Sequence, residues 1–296
     1  MTVTRIDALL PQEMAARAEL VGVRKAEMPF LRAFMLAVLA GAFIALGAMF
    51  ATTVSAGSMQ VTSSDGAAAF TAALPYGVVR LLAGIVFSLG LILVVVGGAE
   101  LFTGNNLIVM AWASGKVTSR ELLRNWAIVY VGNFAGSIGT ALLVFLTRQY
   151  TFGSNAVGIT ALKTAVGKCD LQFLQAIALG ILCNALVCMA VWLSFSARST
   201  VDRILSLVFP ITAFVAAGFE HSIANMYFIP YALFVKDLDP AFTSSVANSV
   251  PHLDKLTWPA FFLANLLPVT IGNIIGGAVL VAAVYWAIFL RNTEPG

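Results

Sequence analysis

Five stretches of this sequence contain no charged residue, and each is about as long as a membrane crossing or longer. They span residues 33–64, 81–99, 125–147, 171–197 and 256–290. The hydrocarbon core of a bilayer is about 30 Å thick, so a helix needs about 20 apolar residues to cross it. Only 10% of the residues are charged and 60% are hydrophobic, whereas about a quarter of the residues in soluble domains are charged. The sequence therefore predicts a membrane protein whose main partner is the lipid bilayer.

Two spans are interrupted by polar residues. Residues 204–219 are uncharged, Glu220 and His221 follow, and the chain then stays uncharged as far as Lys236. The run that precedes Glu100 likewise continues beyond it as a second uncharged stretch. We therefore predict an all-α membrane protein with six transmembrane helices, of which the second and the fifth are broken.

The distribution of basic residues predicts the orientation of these spans. An even number of spans places both termini on one side of the membrane. If that side is the cytoplasm, eleven Lys and Arg residues lie in inner segments and six lie in outer loops, in agreement with the usual excess of positive charge inside. Residues 1–28 mix apolar and charged side chains, which favours an amphipathic helix at the inner face over a solvated tail.

Two motifs occur twice in the chain. Residues 98–105 and 218–225 both read GxExxxxN, and residues 132–136 and 272–276 both read GNxxG. The repeat predicts an N-terminal helix or tail, a first half with three helices, a connecting loop, a second half with three helices and a C-terminal tail, at 1–28, 29–148, 149–170, 171–290 and 291–296. Halves with an odd number of spans insert in opposite directions, so the halves form an inverted repeat.

The two breaks are the predicted functional region. An interrupted helix is tolerated at membrane depth only where it faces protein or a water-filled path, and its half-helix N-terminus favours an anion. His221 is an ionisable group inside the membrane, where such groups tend to mark pathways or proton relays. Thr103 offers a hydroxyl from the other break. Bulky apolar residues near the breaks predict narrow constrictions, namely Phe87, Leu91, Phe102, Val187 and Phe214.

Composition argues against several other functions. A net charge of +3 provides no basic surface for nucleic acid. The three cysteines lack CxxC spacing, so no zinc site, disulfide framework or other metal or cofactor is expected. One intramembrane histidine does not supply paired haem ligands, and Ser222 beside it does not establish catalytic geometry, so we expect no enzyme and no catalytic residue. Cation transport is disfavoured only by the position of the helix termini, since the two glutamates could attract cations. A passive structural protein does not explain two polar breaks.

The sequence resembles the formate/nitrite transporter family over nearly its whole length. The segments that carry the resemblance are FSLGLILVVVGGAELFTGNNL (87–107), NWAIVYVGNFAGS (125–137), ALGILCNALVCMAVW (178–192), GFEHSIANMYFIP (218–230) and PVTIGNIIGG (268–277). The resemblance is strongest to formate channels. It implies a homopentamer of aquaporin-like protomers, each with its own pore, in a bacterial or archaeal inner membrane, with bidirectional passage of formate and of other small monovalent anions.

The resemblance also implies roles for individual residues. His221 matches the central pore histidine, and Thr103 matches the threonine of the loop that interrupts the second helix. Glu220, Asn184 and Asn225 match polar residues around that site, Lys168 matches a basic residue at the periplasmic entrance, and the five bulky residues named above match the apolar constrictions. The LFTG sequence and Cys183 are also found in nitrite-type members, so nitrite, hydrosulfide or lactate remain alternative substrates. Proton coupling and gating by the N-terminal helix are left open.

Overall fold

The computed structural model of the chain describes residues 7–62 and 68–291, with the side chains of all these residues except 59–72. Within this part of the chain, six helices are long and apolar enough to cross a membrane, with mean hydropathies between 1.6 and 2.6. They are α2 (Phe30–Val54), α3 (Tyr76–Gly97), α5 (Ser119–Leu146), α7 (Phe173–Phe195), α8 (Thr200–Ala217) and a sixth span, Ala260–Phe289. The prediction of six spans is confirmed.

Both predicted breaks are present, and each begins at a glycine. Gly98 follows α3 with a φ of +80°, and Gly218 follows α8 with a φ of +78°. Residues with side chains rarely adopt this left-handed conformation, which commonly ends a helix at glycine. After the first break the chain continues as a 3₁₀ turn (Gly104–Ile108) and α4 (Val109–Ala113), and after the second it continues as α9 (Ser222–Leu238).

Two buried asparagines fasten the breaks to the first helix of each half. The side-chain amide of Asn133 donates to the carbonyls of Ala37 and Glu100, and its oxygen accepts a hydrogen bond from the Phe102 N–H. Asn273 makes the equivalent bonds in the second half, to Gly180, Glu220 and Ser222. These bonds satisfy backbone groups that a broken helix leaves unpaired in the membrane interior. The GNxxG motifs therefore support the breaks.

The second glycine of each motif allows two helices to approach closely. A Cβ at Gly136 would collide with the carbonyl of Val38, and a Cβ at Gly276 would collide with the carbonyl of Ile181. Small residues at such contacts let transmembrane backbones pack together. The sixth span contains this contact within a helix that changes between π and α geometry, as Ala260–Leu266, α11 (Leu267–Ile274), Ile275–Ala283 and α12 (Val284–Phe289).

Several elements lie outside the spans. An amphipathic helix, α1 (Pro11–Ala26), packs against the turn Gly104–Ile108 and α4 on what we call the inner face. On the opposite, outer face are an antiparallel hairpin of β1 (Met59–Thr62) and β2 (Ala68–Ala72), helix α6 (Ala156–Cys169) and helix α10 (Pro240–Val246). The hairpin and α6 were not expected from the sequence. The domain boundaries remain a prediction, and residues 292–296 of the predicted tail lie outside the described residues.

Asp239 connects the outer elements. Its carboxylate accepts hydrogen bonds from the Phe242 N–H at the start of α10 and from the Tyr150 hydroxyl. These bonds, first that from Phe242 and then that from Tyr150, keep the pKa of Asp239 below its ordinary value. The capped turn thus holds the end of α9 against the segment that precedes α6.

Candidate functional site

The two breaks bring Thr103 and His221 together. The Thr103 hydroxyl oxygen lies 3.1 Å from His221 Nε2, and both residues are buried. The other ring nitrogen, Nδ1, accepts a hydrogen bond of 3.1 Å from the Ala224 N–H at the start of α9. Because Nδ1 accepts a hydrogen bond, the proton of the neutral ring is assigned to Nε2, which donates to the Thr103 hydroxyl. The backbone of α9 therefore aims one N–H of the imidazole at the opposite break.

Lys168, Glu220 and Asn225 form a polar cluster on the outer side of this pair. Lys168 Nζ lies 2.7 Å from Glu220 Oε1, and the Asn225 amide donates to Glu220 Oε2 at 2.7 Å. Asn265 completes the cluster through its amide, which donates to Glu220 Oε2 and to the Lys168 carbonyl. The Lys168 side chain is only 15% exposed, and its ammonium group lies 5.3 Å from the centre of the Phe228 ring. Lys168 is thus a paired, largely buried cation.

A matching cluster lies on the inner side. Lys25 Nζ contacts both carboxylate oxygens of Glu100 and Asn105 Oδ1, each at 2.9 Å. The Asn105 amide donates to Glu100 and to Asn125 Oδ1, and the Asn125 amide donates to the Lys25 carbonyl. The lysine–glutamate contact, the bonds from Asn105 and the bond from Asn125 each have a counterpart in the outer cluster, whereas the contact of Lys25 with Asn105 Oδ1 has none among the described residues. Because Glu100 and Glu220 are each bound by lysine and asparagine, their charges are compensated and they form no free cation site.

Sequence reasoning missed Lys25, Asn125 and Asn265, although a signal for each was present. Asn125 and Asn265 are 140 residues apart, as are the two GNxxG motifs. Lys25 lies five residues before the start of α2, and Lys168 lies five residues before the start of α7. Extending the repeat outward from its motifs would have paired the two lysines.

Asn184 positions the loop that contains Thr103. Its amide donates to the Thr103 carbonyl at 3.3 Å and to the Asn273 carbonyl at 2.6 Å. The Cys188 thiol donates to the same Thr103 carbonyl at 3.4 Å. Asn184 and Cys188 are fully buried, so both act behind the loop. The first break is therefore held from the side of α7 as well as by Asn133.

Two cavities approach the Thr103–His221 pair from opposite faces. The outer cavity, of about 290 Å³, is lined by Phe87, Phe214, Gly218 and His221, together with Lys168. The inner cavity, of about 260 Å³, is lined by Leu91, Leu101 and Gly104, together with residues of α1. Phe87 and Leu91 are one helical turn apart on α3. A thin buried layer therefore separates the cavities.

Three of the five predicted constriction residues lie at this layer. The rings of Phe87 and Phe214 meet edge to face at 5.6 Å, and Phe214 also stacks on the His221 ring at 5.8 Å. Leu91 lines the inner cavity. Phe102 and Val187 line neither of the two cavities just described, and the Phe102 ring instead packs on Tyr130 at 4.9 Å. Helical spacing alone does not distinguish a side chain beside a pathway from one packed behind it.

The described residues do not contain a group of three or more His, Cys, Asp or Glu side chains placed to hold a metal ion. Cys169, Cys183 and Cys188 are buried free thiols. The polar groups around the breaks bind backbone atoms and each other, and they leave an imidazole N–H and a hydroxyl between two cavities. Such an arrangement suits the passage of a small anion, because hydrogen-bond donors replace part of its hydration.

Comparison with known proteins agrees with this geometry. The profile of the formate/nitrite transporter family matches residues 12–287. The chain is 44% identical to the formate channel FocA of Escherichia coli strain K12, over 97% of each chain. It is 39% identical to the formate channel FocA of Haemophilus influenzae, over 93% of this chain and 92% of the relative.

A solved structure described as a pentameric formate channel with formate bound superimposes with a TM-score of 0.78 at 42% identity. The match covers 88% of this chain and 98% of that one. These relatives are channels and not enzymes, in agreement with the prediction that the chain has no catalytic function. The chain belongs to the formate/nitrite transporter family.

Proposed function

We propose that this protein conducts small monovalent anions across a membrane, with formate as its main substrate, in either direction. The observation that carries this proposal is the hydrogen-bonded pair of Thr103 and His221 between the two cavities. The formate channels among its relatives support formate as the anion. A planar carboxylate has two oxygens, and either can accept the hydrogen bond that the His221 Nε2–H donates to the Thr103 hydroxyl in this structure.

The route we propose runs through the apolar layer. An anion in the outer cavity loses most of its hydration water when it passes the rings of Phe87 and Phe214. Transfer of a bare charge into such a layer is strongly unfavourable without compensating hydrogen bonds. The His221 N–H and the Thr103 hydroxyl provide these bonds between the two cavities, and Leu91 continues the apolar layer on the inner side. A single-file route of this kind favours small ions.

Proton coupling through His221 requires one further step. The neutral imidazole has its only proton on Nε2, and loss of that proton would leave an unstable imidazolate. To protonate an anion, the ring must first carry protons on both nitrogens, which breaks the bond that Nδ1 accepts from the Ala224 N–H. We therefore propose that the arrangement described here conducts the anion itself. Passage as the neutral acid needs a second arrangement in which the ring is released from Ala224.

Assembly and location belong to the same proposal. We propose a homopentamer in a bacterial inner membrane with both termini in the cytoplasm. The pentameric relative supports the oligomeric state, and the excess of Lys and Arg residues in the inner segments supports the orientation. Each protomer contains both breaks, so each is expected to have its own pathway.

Uptake of labelled anions by proteoliposomes tests the proposed function. Formate should enter fastest. Nitrite and hydrosulfide should compete with formate for uptake, and sodium should not enter. A reversal potential that follows the formate gradient would identify the permeant ion as the anion. Equal uptake of sodium and formate, or a protein that conducts nitrite but excludes formate, would contradict formate as the main substrate.

A further inference from the structure

The inner cavity carries more positive charge than the Lys25–Glu100 pair accounts for. Its charged lining residues are Arg17, Lys25, Glu100 and Arg203. Lys25 and Glu100 neutralise each other, which leaves the charges of the two arginines uncompensated within this wall. Both arginine side chains are half-buried. A pair of like charges in a partly enclosed space is unfavourable unless an anion shares the space.

The free hydrogen-bond donors of the cavity belong to these arginines. All three N–H groups of the Lys25 ammonium are used, by the two oxygens of Glu100 and by Asn105. Arg17 donates through Nη1 to the Phe195 carbonyl at 3.0 Å, which is its one side-chain bond to another described residue. The Arg203 side chain bonds to none of the residues that the structure describes. Most of the ten N–H groups of the two guanidinium groups therefore remain available to a ligand.

The position of the arginines relates this charge to the pathway. Arg17 lies on α1, and Arg203 lies in the first turn of α8. The wall between them is largely apolar and includes Leu91, Val94 and Phe195. Apolar walls lower the local dielectric constant and strengthen the attraction between a cation and an anion. Because Leu91 lines this cavity, an anion held here would be in the last compartment on the inner side of the constriction.

We propose that Arg17 and Arg203 form a carboxylate-binding site at the inner mouth, which holds a small monocarboxylate before it enters the constriction or after it leaves. The planar guanidinium group matches the geometry of a carboxylate and binds it through paired hydrogen bonds. The volume of about 260 Å³ accommodates formate and other short carboxylates. The inference rests on the proposed function, because it takes the transported anion as the ligand. The proposed site is an additional binding site on the pathway, and a carboxylate bound there would connect α1 to α8.

The outer mouth provides a natural comparison. Its cavity contains Arg80 and Lys163 in addition to the Lys168–Glu220 pair. There, however, the Arg80 guanidinium donates to the carbonyls of Val215 and Ala216 at the end of α8. Arg80 thus serves mainly to cap a helix end, and Lys163 is the cation that remains for an anion. Variants of Lys163 therefore report on the outer mouth without disturbing the inner one.

The test measures the formate concentration that gives half-maximal flux from each side of the membrane. Arg203→Gln is the principal variant, because this side chain makes no bond that the fold would lose. In vesicles with the α1 face turned outward, we expect the half-saturating formate concentration to rise roughly tenfold, as for the loss of a hydrogen-bonded charge. In vesicles of the opposite orientation, it should stay within about twofold of the native value. Arg17→Gln should act on the same side as Arg203→Gln.

Three controls make the outcome decisive. Lys163→Gln should change saturation from the outer side only, and Arg24→Gln, on the exposed face of α1, should change neither. Arg203→Lys should give an intermediate value, because it retains the charge but loses the planar fork. Unchanged saturation from the α1 side in Arg203→Gln, or equal changes from both sides, would overturn the inference. A native protein that does not conduct formate at all would instead refute the proposed function.

Discussion

His221 is held in one arrangement by the backbone of α9. The Ala224 N–H donates to Nδ1, so the imidazole offers its single proton from Nε2 toward Thr103. The ring also stacks on Phe214, which fixes its plane. A side chain bound on both nitrogens and on one face has little rotational freedom. At the residue scale, the site is therefore a fixed hydrogen-bond donor, and the neighbouring hydroxyl is its resident acceptor.

Removal of the Thr103 hydroxyl should slow transport. In Thr103→Val, the shape of the side chain is retained, but the hydroxyl that contacts His221 and that we propose to contact the passing anion is lost. Loss of one hydrogen bond to a charged group is worth about 1.5–3 kcal/mol, so uptake of formate should fall about tenfold or more. Thr103→Ser, which retains the hydroxyl, is the matched control. A Thr103→Val protein with native uptake would show that this hydroxyl does not contact the anion.

Glu220 should contribute more to stability than to the chemistry of the pathway. Glu220→Gln leaves the Lys168 ammonium buried without its countercharge, and breaking a buried ion pair in this way costs about 3–5 kcal/mol. Thermal unfolding in detergent should show a clear fall in the midpoint. Lys168→Gln combined with Glu220→Gln removes both charges and should recover much of the loss. If the single and double variants were equally unstable, the pair would not be the source of the stability.

At the element scale, the breaks depend on helices that pack at backbone distance. Asn133 and Asn273 bind backbone groups of the two breaks, and Gly136 and Gly276 let the neighbouring backbones come close enough for these contacts. The same arrangement in both halves explains why the two sequence motifs recur together. A broken helix in a membrane is stable only when such partners satisfy its free backbone groups.

Adding a methyl group at these contacts should destabilise the protein. Gly136→Ala and Gly276→Ala place a Cβ against the carbonyls of Val38 and Ile181, and overpacking of this kind typically costs about 1–3 kcal/mol. Gly139→Ala is the matched control on the same helix as Gly136, because a Cβ there would meet nothing within 4 Å. Thermal unfolding of the three variants should separate the first two from the third. Equal stability of Gly136→Ala and Gly139→Ala would contradict the close approach.

The sequence allowed prediction of the breaks, because an intramembrane glutamate and a glycine in a repeated motif are visible without any structure. It also allowed prediction that Thr103 and His221 would meet, since an inverted repeat brings its two breaks together. Phe102 lies in the break itself, where no helical periodicity indicates which way a side chain points, and its ring packs on Tyr130. Lys25 was missed because it precedes the first half, where its signal is only the distance from α2 that matches the distance of Lys168 from α7. The hairpin has no repeat partner, and its short strands give little periodicity.

At the scale of the whole molecule, the inverted repeat produces two similar mouths and one asymmetric centre. Lys25 and Glu100 on the inner side correspond to Lys168 and Glu220 on the outer side, and in both clusters the lysine carbonyl accepts a bond from an asparagine amide. The centre is not symmetric, because the GxExxxxN repeat pairs His221 with Leu101. A pathway with similar ends suits movement in both directions, while the His221 N–H and the Thr103 hydroxyl are the polar groups of an otherwise apolar layer.

The central claim is that anions pass at the contact between Thr103 and His221. Formate uptake by proteoliposomes, measured between about pH 5 and pH 8, tests it in native protein, His221→Phe and His221→Gln. We predict that uptake in His221→Phe falls at least about tenfold at every pH, and that His221→Gln, which retains an N–H donor, still conducts formate. Native uptake in a folded His221→Phe protein would contradict the account.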